Sequence, residues 1–190
     1  MGKYMIYEHD NKGTLTLIEP EGLRYLESVI KEFGPQLIIE FGTYHGGMVK
    51  HFSSWFPKIP IYTFDAFWQL SADDAKAFRE SNVTVVIADM FGNNPIIPTL
   101  VSLPLKKFLF CDNGKREVEV KNFVGYLRPG DMFAVHDWHT ECLPLHNIVF
   151  DNFKPHQLNE KFNNEPGISD IRFWTRIGYE GAMRQPNDMK

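Results

Sequence analysis

Five acids recur along the chain at nearly constant intervals: Glu40, Asp65, Asp89, Asp112 and Asp137 lie 25, 24, 23 and 25 residues apart. Each closes a short apolar run, at residues 36–42, 61–65, 83–89, 107–112 and 131–137. Carboxylates accept hydrogen bonds from hydroxyls, balance a cationic ligand and bind hard metal ions, so five of them on one rim could do any of these. An acid after a strand is often only the N-cap of the next helix. Five in phase with the apolar pattern argue for more than capping. Two further groups stand beside them: Asp112-Asn-Gly-Lys115, which offers a carboxylate and an amine, and His136-Asp137-Trp138-His139, which offers imidazole and carboxylate. A turn follows Glu40 with glycines at 42, 46 and 47, where a ligand can approach the backbone without meeting a Cβ.

The elements that must position these residues follow from periodicity. The five runs are continuous rather than alternating, as strands buried on both faces are. Residues 19–33 place Leu23, Leu26, Val29, Ile30 and Phe33 at helical spacing, with Pro20 in the first turn and Gly34-Pro35 as a stop. Helices are also predicted at 46–56, 72–80, 95–103 and 115–127. Strand alternating with helix predicts an α/β fold: a Rossmann-like, doubly wound, mostly parallel sheet with helices on both faces. In such a sheet ligands bind beyond the carboxyl ends of the strands, which is where all five acids fall. A helix within 140–153 and strands at 170–176 and 179–184, paired antiparallel at the sheet edge, complete the expectation, with 154–169 unassigned.

At 190 residues the chain is expected to form one domain: an N-terminal segment and helix (1–34), a ligand-binding core (35–140), and a C-terminal helix with edge strands (141–190). Twenty Lys and Arg against 24 Asp and Glu give a net charge of −4, with no basic block to track a phosphate backbone, so nucleic acid is not an expected partner. No apolar run approaches the roughly 20 residues that span a bilayer. Two cysteines, Cys111 and Cys142, are too few for a disulfide framework, and the expected location is cytoplasmic.

The turn Glu40-Phe-Gly42-Thr-Tyr44-His-Gly46-Gly47 lacks the GxGxxG of dinucleotide folds, since position 44 is Tyr. It resembles the first motif of the class I S-adenosylmethionine (SAM)-dependent methyltransferases, in the Glu-x-Gly-x-Tyr-x-Gly form of the catechol and caffeoyl-CoA O-methyltransferase branch. The resemblance implies that Glu40 lies near the methionine end of SAM and that Gly42, Tyr44, Gly46 and Gly47 pass beneath it. Asp65 would accept hydrogen bonds from the ribose hydroxyls, and Asp89 would lie beside the adenine. SAM is a sulfonium without phosphate, which suits an acidic site. Met48 stands where the family usually has Ser or Thr, so another group must meet the cofactor carboxylate.

Asp112-Asn-Gly-Lys115 resembles the Asp-x-x-Lys element of the metal-dependent members, whose Asp binds magnesium and whose Lys takes the hydroxyl proton. Their Asp-Asn pair is replaced here by His136-Asp137. A similar ending occurs among sugar, macrolide and cephalosporin-type methyltransferase-like proteins. The implied metal ligands are Asp112 and Asp137, with His136 as a further one. In a metal-free site, His136 could act as general base. A zinc hydrolase would show a set such as HExxH, which is absent. Tyr44, His45, Phe67, Trp68 and Trp138 follow strand ends and could shape a small-molecule pocket, closed in turn by a neighbouring subunit of a homo-oligomer or by a large substrate. The expected activity is O-methylation of a small molecule. The alternative is a SAM- or S-adenosylhomocysteine (SAH)-binding protein without turnover.

Overall fold

The computed structural model describes residues 7–9, 14–16, 18, 20–92, 94–138, 152–159 and 171–178. In chain order, β1 (Tyr7–His9) and β2 (Thr14–Thr16) make a two-stranded antiparallel sheet that the sequence pattern did not announce. Then follow α1 (Pro20–Phe33), β3 (Leu37–Phe41), α2 (Gly47–Trp55), β4 (Ile61–Asp65), α3 (Ala72–Arg79), β5 (Val83–Ile87), α4 (Ile96–Ser102), β6 (Lys107–Cys111), α5 (Arg116–Phe123), a 3-10 turn at Val124–Tyr126, and β7 (Met132–Val135). Two last strands, β8 (Phe153–Pro155) and β9 (Arg172–Arg176), close the series. The helices predicted between residues 19 and 127 and the central strands are present, with ends moved by a few residues.

The large sheet has seven strands in the order β5-β4-β3-β6-β7-β9-β8. Strands β3 to β7 are mutually parallel; β9 pairs antiparallel with both β7 and β8. Strand order reverses between β3 and β6, so the carboxyl ends of these two strands open the crevice that the α/β topology reserves for ligands. Alternate residues of each central strand enter opposite cores. Ile38, Phe108, Phe110 and Ala134 pack with Leu26 and Ile30 of α1, Phe52 of α2 and Phe78 of α3. Leu37, Ile39, Leu109 and Val135 pack with Val101 of α4 and Val120 and Phe123 of α5. Both faces are covered, which is why the strands read as unbroken apolar runs.

The antiparallel edge is as expected in kind but not in its partner. Residues 172–176 form the expected strand, yet the segment paired on its outer side is 153–155, with Lys154 opposite Thr175. Phe153, expected at the end of a helix, is in that strand. A three-residue edge strand is specified by the free backbone groups of its neighbour rather than by its own apolar pattern, and Pro155 is tolerated there because an edge strand can do without one ladder donor. The expected strand at 179–184 and the remainder of the helix at 140–153 lie outside the described residues, as do Cys142 and His139.

One buried ion pair fixes the amino ends of β6 and β7. Lys107 is fully buried; its Nζ lies 2.8 Å from Asp131 Oδ2 and donates to the carbonyls of Leu103 and Leu105 at 2.7 and 2.8 Å. Asp131 Oδ1 accepts from the Lys107 backbone N–H at 2.9 Å and Oδ2 from that of Arg128 at 2.6 Å. The pair is satisfied as it stands, but half of it is not tolerated. Asp131→Ala should cost about 3–5 kcal/mol of stability in urea unfolding, because it leaves a buried ammonium without its counter-charge; a loss below about 1 kcal/mol, the value of an exposed pair, would contradict this.

Candidate active site

The chain leaves β3 through Gly42, whose φ of 100° lies in the left-handed region. A Cβ there would stand 2.3 Å from the Asp112 carbonyl oxygen, so only glycine lets the first turn pass the end of β6. Tyr44 and Asp137 also have positive φ, 46° and 54°. These are costly conformations for side-chain-bearing residues and are held here by surrounding bonds. Tyr44 is held by its N–H, which donates to Asp65 Oδ2 at 2.8 Å. Asp65 Oδ1 accepts from the Phe67 N–H at 3.0 Å. The buried Asp65 therefore joins the turn after β3 to the loop after β4, with lone pairs to spare on each oxygen. Asp89, exposed after β5, accepts from the Phe91 N–H at 3.0 Å.

These loops surround a cavity of about 500 Å³ at the carboxyl edge of the sheet, within the range of small-molecule sites. Of the sequence-predicted binding residues, Gly42, Tyr44, Gly47, Asp65, Asp89, Asp112 and Lys115 line it. Glu40, Gly46, His136 and Asp137 are not in its lining. Gly46 faces the core, where a Cβ would meet Leu70 and Phe78 at 2.9 Å. Glu40 is buried on the face of the sheet that packs against α1 and α2. Its Oε2 accepts from Thr63 Oγ1 at 2.5 Å, and Thr63 Oγ1 lies 2.6 Å from Thr43 Oγ1. Thr63 has one proton and gives it to Glu40, so Thr43 donates to Thr63. Thr43 lines the cavity and the relay thus ends beneath it. Met48 is buried in the lining, and Thr43 is the hydroxyl residue that the same turn contributes.

The aromatic expectations divide. Tyr44 and Phe67 are exposed at the cavity. The His45 Nδ1–H donates to the Gln69 carbonyl at 3.0 Å, and its ring meets Tyr44 edge-on, 4.1 Å between centroids. Trp68 instead lines a separate cavity with Phe78 and Val85. Trp138 is buried against Trp174, 4.7 Å between centroids, and belongs to the core.

On the far side, Asp112, His136 and Asp137 come together, each offering a ligand atom within 4.8 Å of the others. Two carboxylates and an imidazole could hold a divalent cation, the imidazole favouring a transition metal over magnesium. The sequence reading missed the residue among them. Arg116, the first residue of α5, places Nη2 2.5 Å from Asp112 Oδ1 and 2.8 Å from Asp137 Oδ2, with 7% of its side chain exposed. The only trace in sequence is an Asp and an Arg four apart, here spanning a loop and a helix start. His136 Nδ1 donates to the same Asp112 oxygen at 2.9 Å. Burial works against charge on both Asp112 and His136 and is outweighed by their mutual attraction, so the Asp112 carboxyl is held below its usual range and the His136 imidazole above its own. Buried Glu119 accepts from the Asn113 N–H at 3.1 Å and fixes the loop that carries Lys115. Lys115 is exposed, with Nζ 5.7 Å over the Phe91 ring.

No family model matches the chain, and no curated protein matches it. Solved structures do. CmcI, in a form named with Mg and SAM, aligns over 90% of this chain and 77% of its own at 18% identity and a TM-score of 0.61. The O-methyltransferase TomG from Streptomyces achromogenes, named as involved in tomaymycin synthesis and solved with SAM, aligns over 85% and 82% at 13% identity and 0.54. An rRNA methylase from Streptococcus thermophilus aligns over 83% and 97% at 10% identity and 0.56. The chain has the methyltransferase fold. Among the described residues, no helix is long and apolar enough to cross a membrane.

Burial is the largest influence on Glu40 and pushes its carboxyl well above its ordinary value; the bond from Thr63 only partly opposes this, and Asp112 and Asp65 add to it. A carboxyl raised in the folded state stabilises the fold below its unfolded pKa and loses that contribution as pH climbs through the folded value. Urea unfolding of the wild type and Glu40→Gln from about pH 4 to about pH 8 should show the wild type losing stability relative to the variant as pH rises. A difference independent of pH would show an ordinary carboxyl.

Proposed function

We propose that the chain is a SAM-dependent O-methyltransferase acting on a hydroxyl of a small molecule. One observation carries the reading: a single cavity is bounded on one side by the glycine turn with Asp65 and Asp89 and on the other by Asp112 and Lys115, so that a cofactor half and an acceptor half face each other. CmcI, named with Mg and SAM, and the O-methyltransferase TomG, solved with SAM, share the overall fold and support this reading. The rRNA methylase shows that the same fold serves macromolecular acceptors, but a net charge of −4 does not favour RNA here.

Gly42 and Gly47 let the cofactor approach the backbone, Asp65 offers its remaining lone pairs to the ribose hydroxyls, and Asp89 lies toward the adenine. Thr43, backed by Thr63 and Glu40, stands beneath the methionine end. SAM supplies a methyl group on a sulfonium: the acceptor oxygen forms its bond to carbon as the sulfur–carbon bond breaks, the electron pair remains on sulfur, and SAH is released. Lys115 Nζ, exposed in the cavity lining, takes the acceptor proton when it is in its neutral amine form. His136 donates its Nδ1 proton to Asp112 and is buried outside the cavity lining, which favours a positioning role over that of the base.

Calorimetry with SAM, SAH and NAD tests the cofactor: SAM and SAH should bind and NAD should not, whereas binding of neither sulfur compound would end the reading. Asp65→Asn keeps an acceptor for the Phe67 N–H but loses the charge, and should weaken SAM binding by about 1.5–3 kcal/mol. Turnover of a phenol and polyol panel separates an enzyme from a SAM-binding protein without activity.

A further inference from the structure

Arg116 stands where a shared metal ion would have to stand. An ion held by Asp112 and Asp137 together lies between their carboxylates, and Arg116 Nη2 already bridges them at 2.5 and 2.8 Å. Two cations repel at such a distance, strongly so away from water. The guanidinium is also well suited to stay: it is charged at every accessible pH, and its planar fork bonds two carboxylates at once. The side chain is 7% exposed, so its removal would leave two close carboxylates with His136 beside them. Arg116 lines the cavity.

We propose that Arg116 is the resident cation of the acceptor site: it holds the position between Asp112 and Asp137, excludes divalent ions from it, and supplies there the positive charge that favours an acceptor oxygen in its anionic form. The exclusion of ions rests on geometry alone. The effect on the acceptor rests on the methyltransferase reading above.

The test is Mn2+ binding, followed by calorimetry and by electron paramagnetic resonance, to the wild type, Arg116→Ala and Arg116→Lys. Removing a competing charge and leaving two carboxylates unbalanced should tighten Mn2+ binding to Arg116→Ala by at least about tenfold. Arg116→Lys, which keeps a charge, should stay close to the wild type, and adding Asp137→Asn to Arg116→Ala should abolish the gain. Should Arg116→Ala fail to fold by circular dichroism, Arg116→Gln carries the same measurement. Wild-type Mn2+ binding as tight as the variant's, or no gain in the variant, would overturn the proposal. In turnover, the wild type should be indifferent to EDTA, while Arg116→Ala should lose activity and recover it with Mn2+, a rescue that a purely structural arginine would not show. Loss of wild-type turnover on chelation would overturn the acceptor role. If SAM does not bind the wild type, the methyltransferase reading fails, and the Mn2+ arms still decide whether Arg116 excludes the ion.

Discussion

A parallel sheet brings the ends of its strands to one edge, and in this chain four of the five parallel strands are followed or closed by an aspartate, while Glu40 is buried within the fifth. The fold therefore collects negative charge on one rim, beside two apolar cores that cannot screen it. Like charges in such surroundings are tolerated only where each is met by a donor, by a cation or by a proton. Much of the local structure can be understood as the way each carboxylate meets that requirement.

The solutions differ by position. Asp65 and Asp89 are met by backbone N–H groups, and in the case of Asp65 this draws the strained Tyr44 turn into place. Asp112 and Asp137 are met by Arg116, and Asp112 also by His136. Glu40 has only Thr63, and its Oε1 has no partner among the described residues, so it favours the proton. The rim is thereby divided into a side whose oxygens keep lone pairs for hydroxyl donors and a side whose carboxylates already carry a cation. That division is the physical basis for assigning a cofactor half and an acceptor half to one cavity.

Much of the architecture was legible in the linear pattern. The apolar runs at 37–41, 61–65 and 107–111 could only be strands covered on both faces, and the acids after them had to share an edge once the connections were helical. The convergence of Gly42, Asp65, Asp89, Asp112 and Lys115 on one cavity followed from the same logic. The C-terminal edge was less legible, because β8 owes its place to β9 rather than to its own residues. The aromatic residues were less legible still: Trp68 and Trp138 follow strand ends as Tyr44 and Phe67 do, yet one turns to a separate hollow and the other to the core. Spacing fixes which edge a residue reaches but not the direction of its side chain.

The sequence by itself determined the layering, the parallel order of elements and the acidity of the rim, because these follow from periodicity and from residue type along neighbouring positions. Only the tertiary structure decided what neutralises that acidity. Arg116 reads as a helix-start arginine until the end of β7 brings Asp137 beside Asp112, and Glu40 reads as a binding acid until Thr63 and the covering helices enclose it. Charge compensation depends on distances of a few ångströms between residues from different strands, and such distances exist only once the chain has folded.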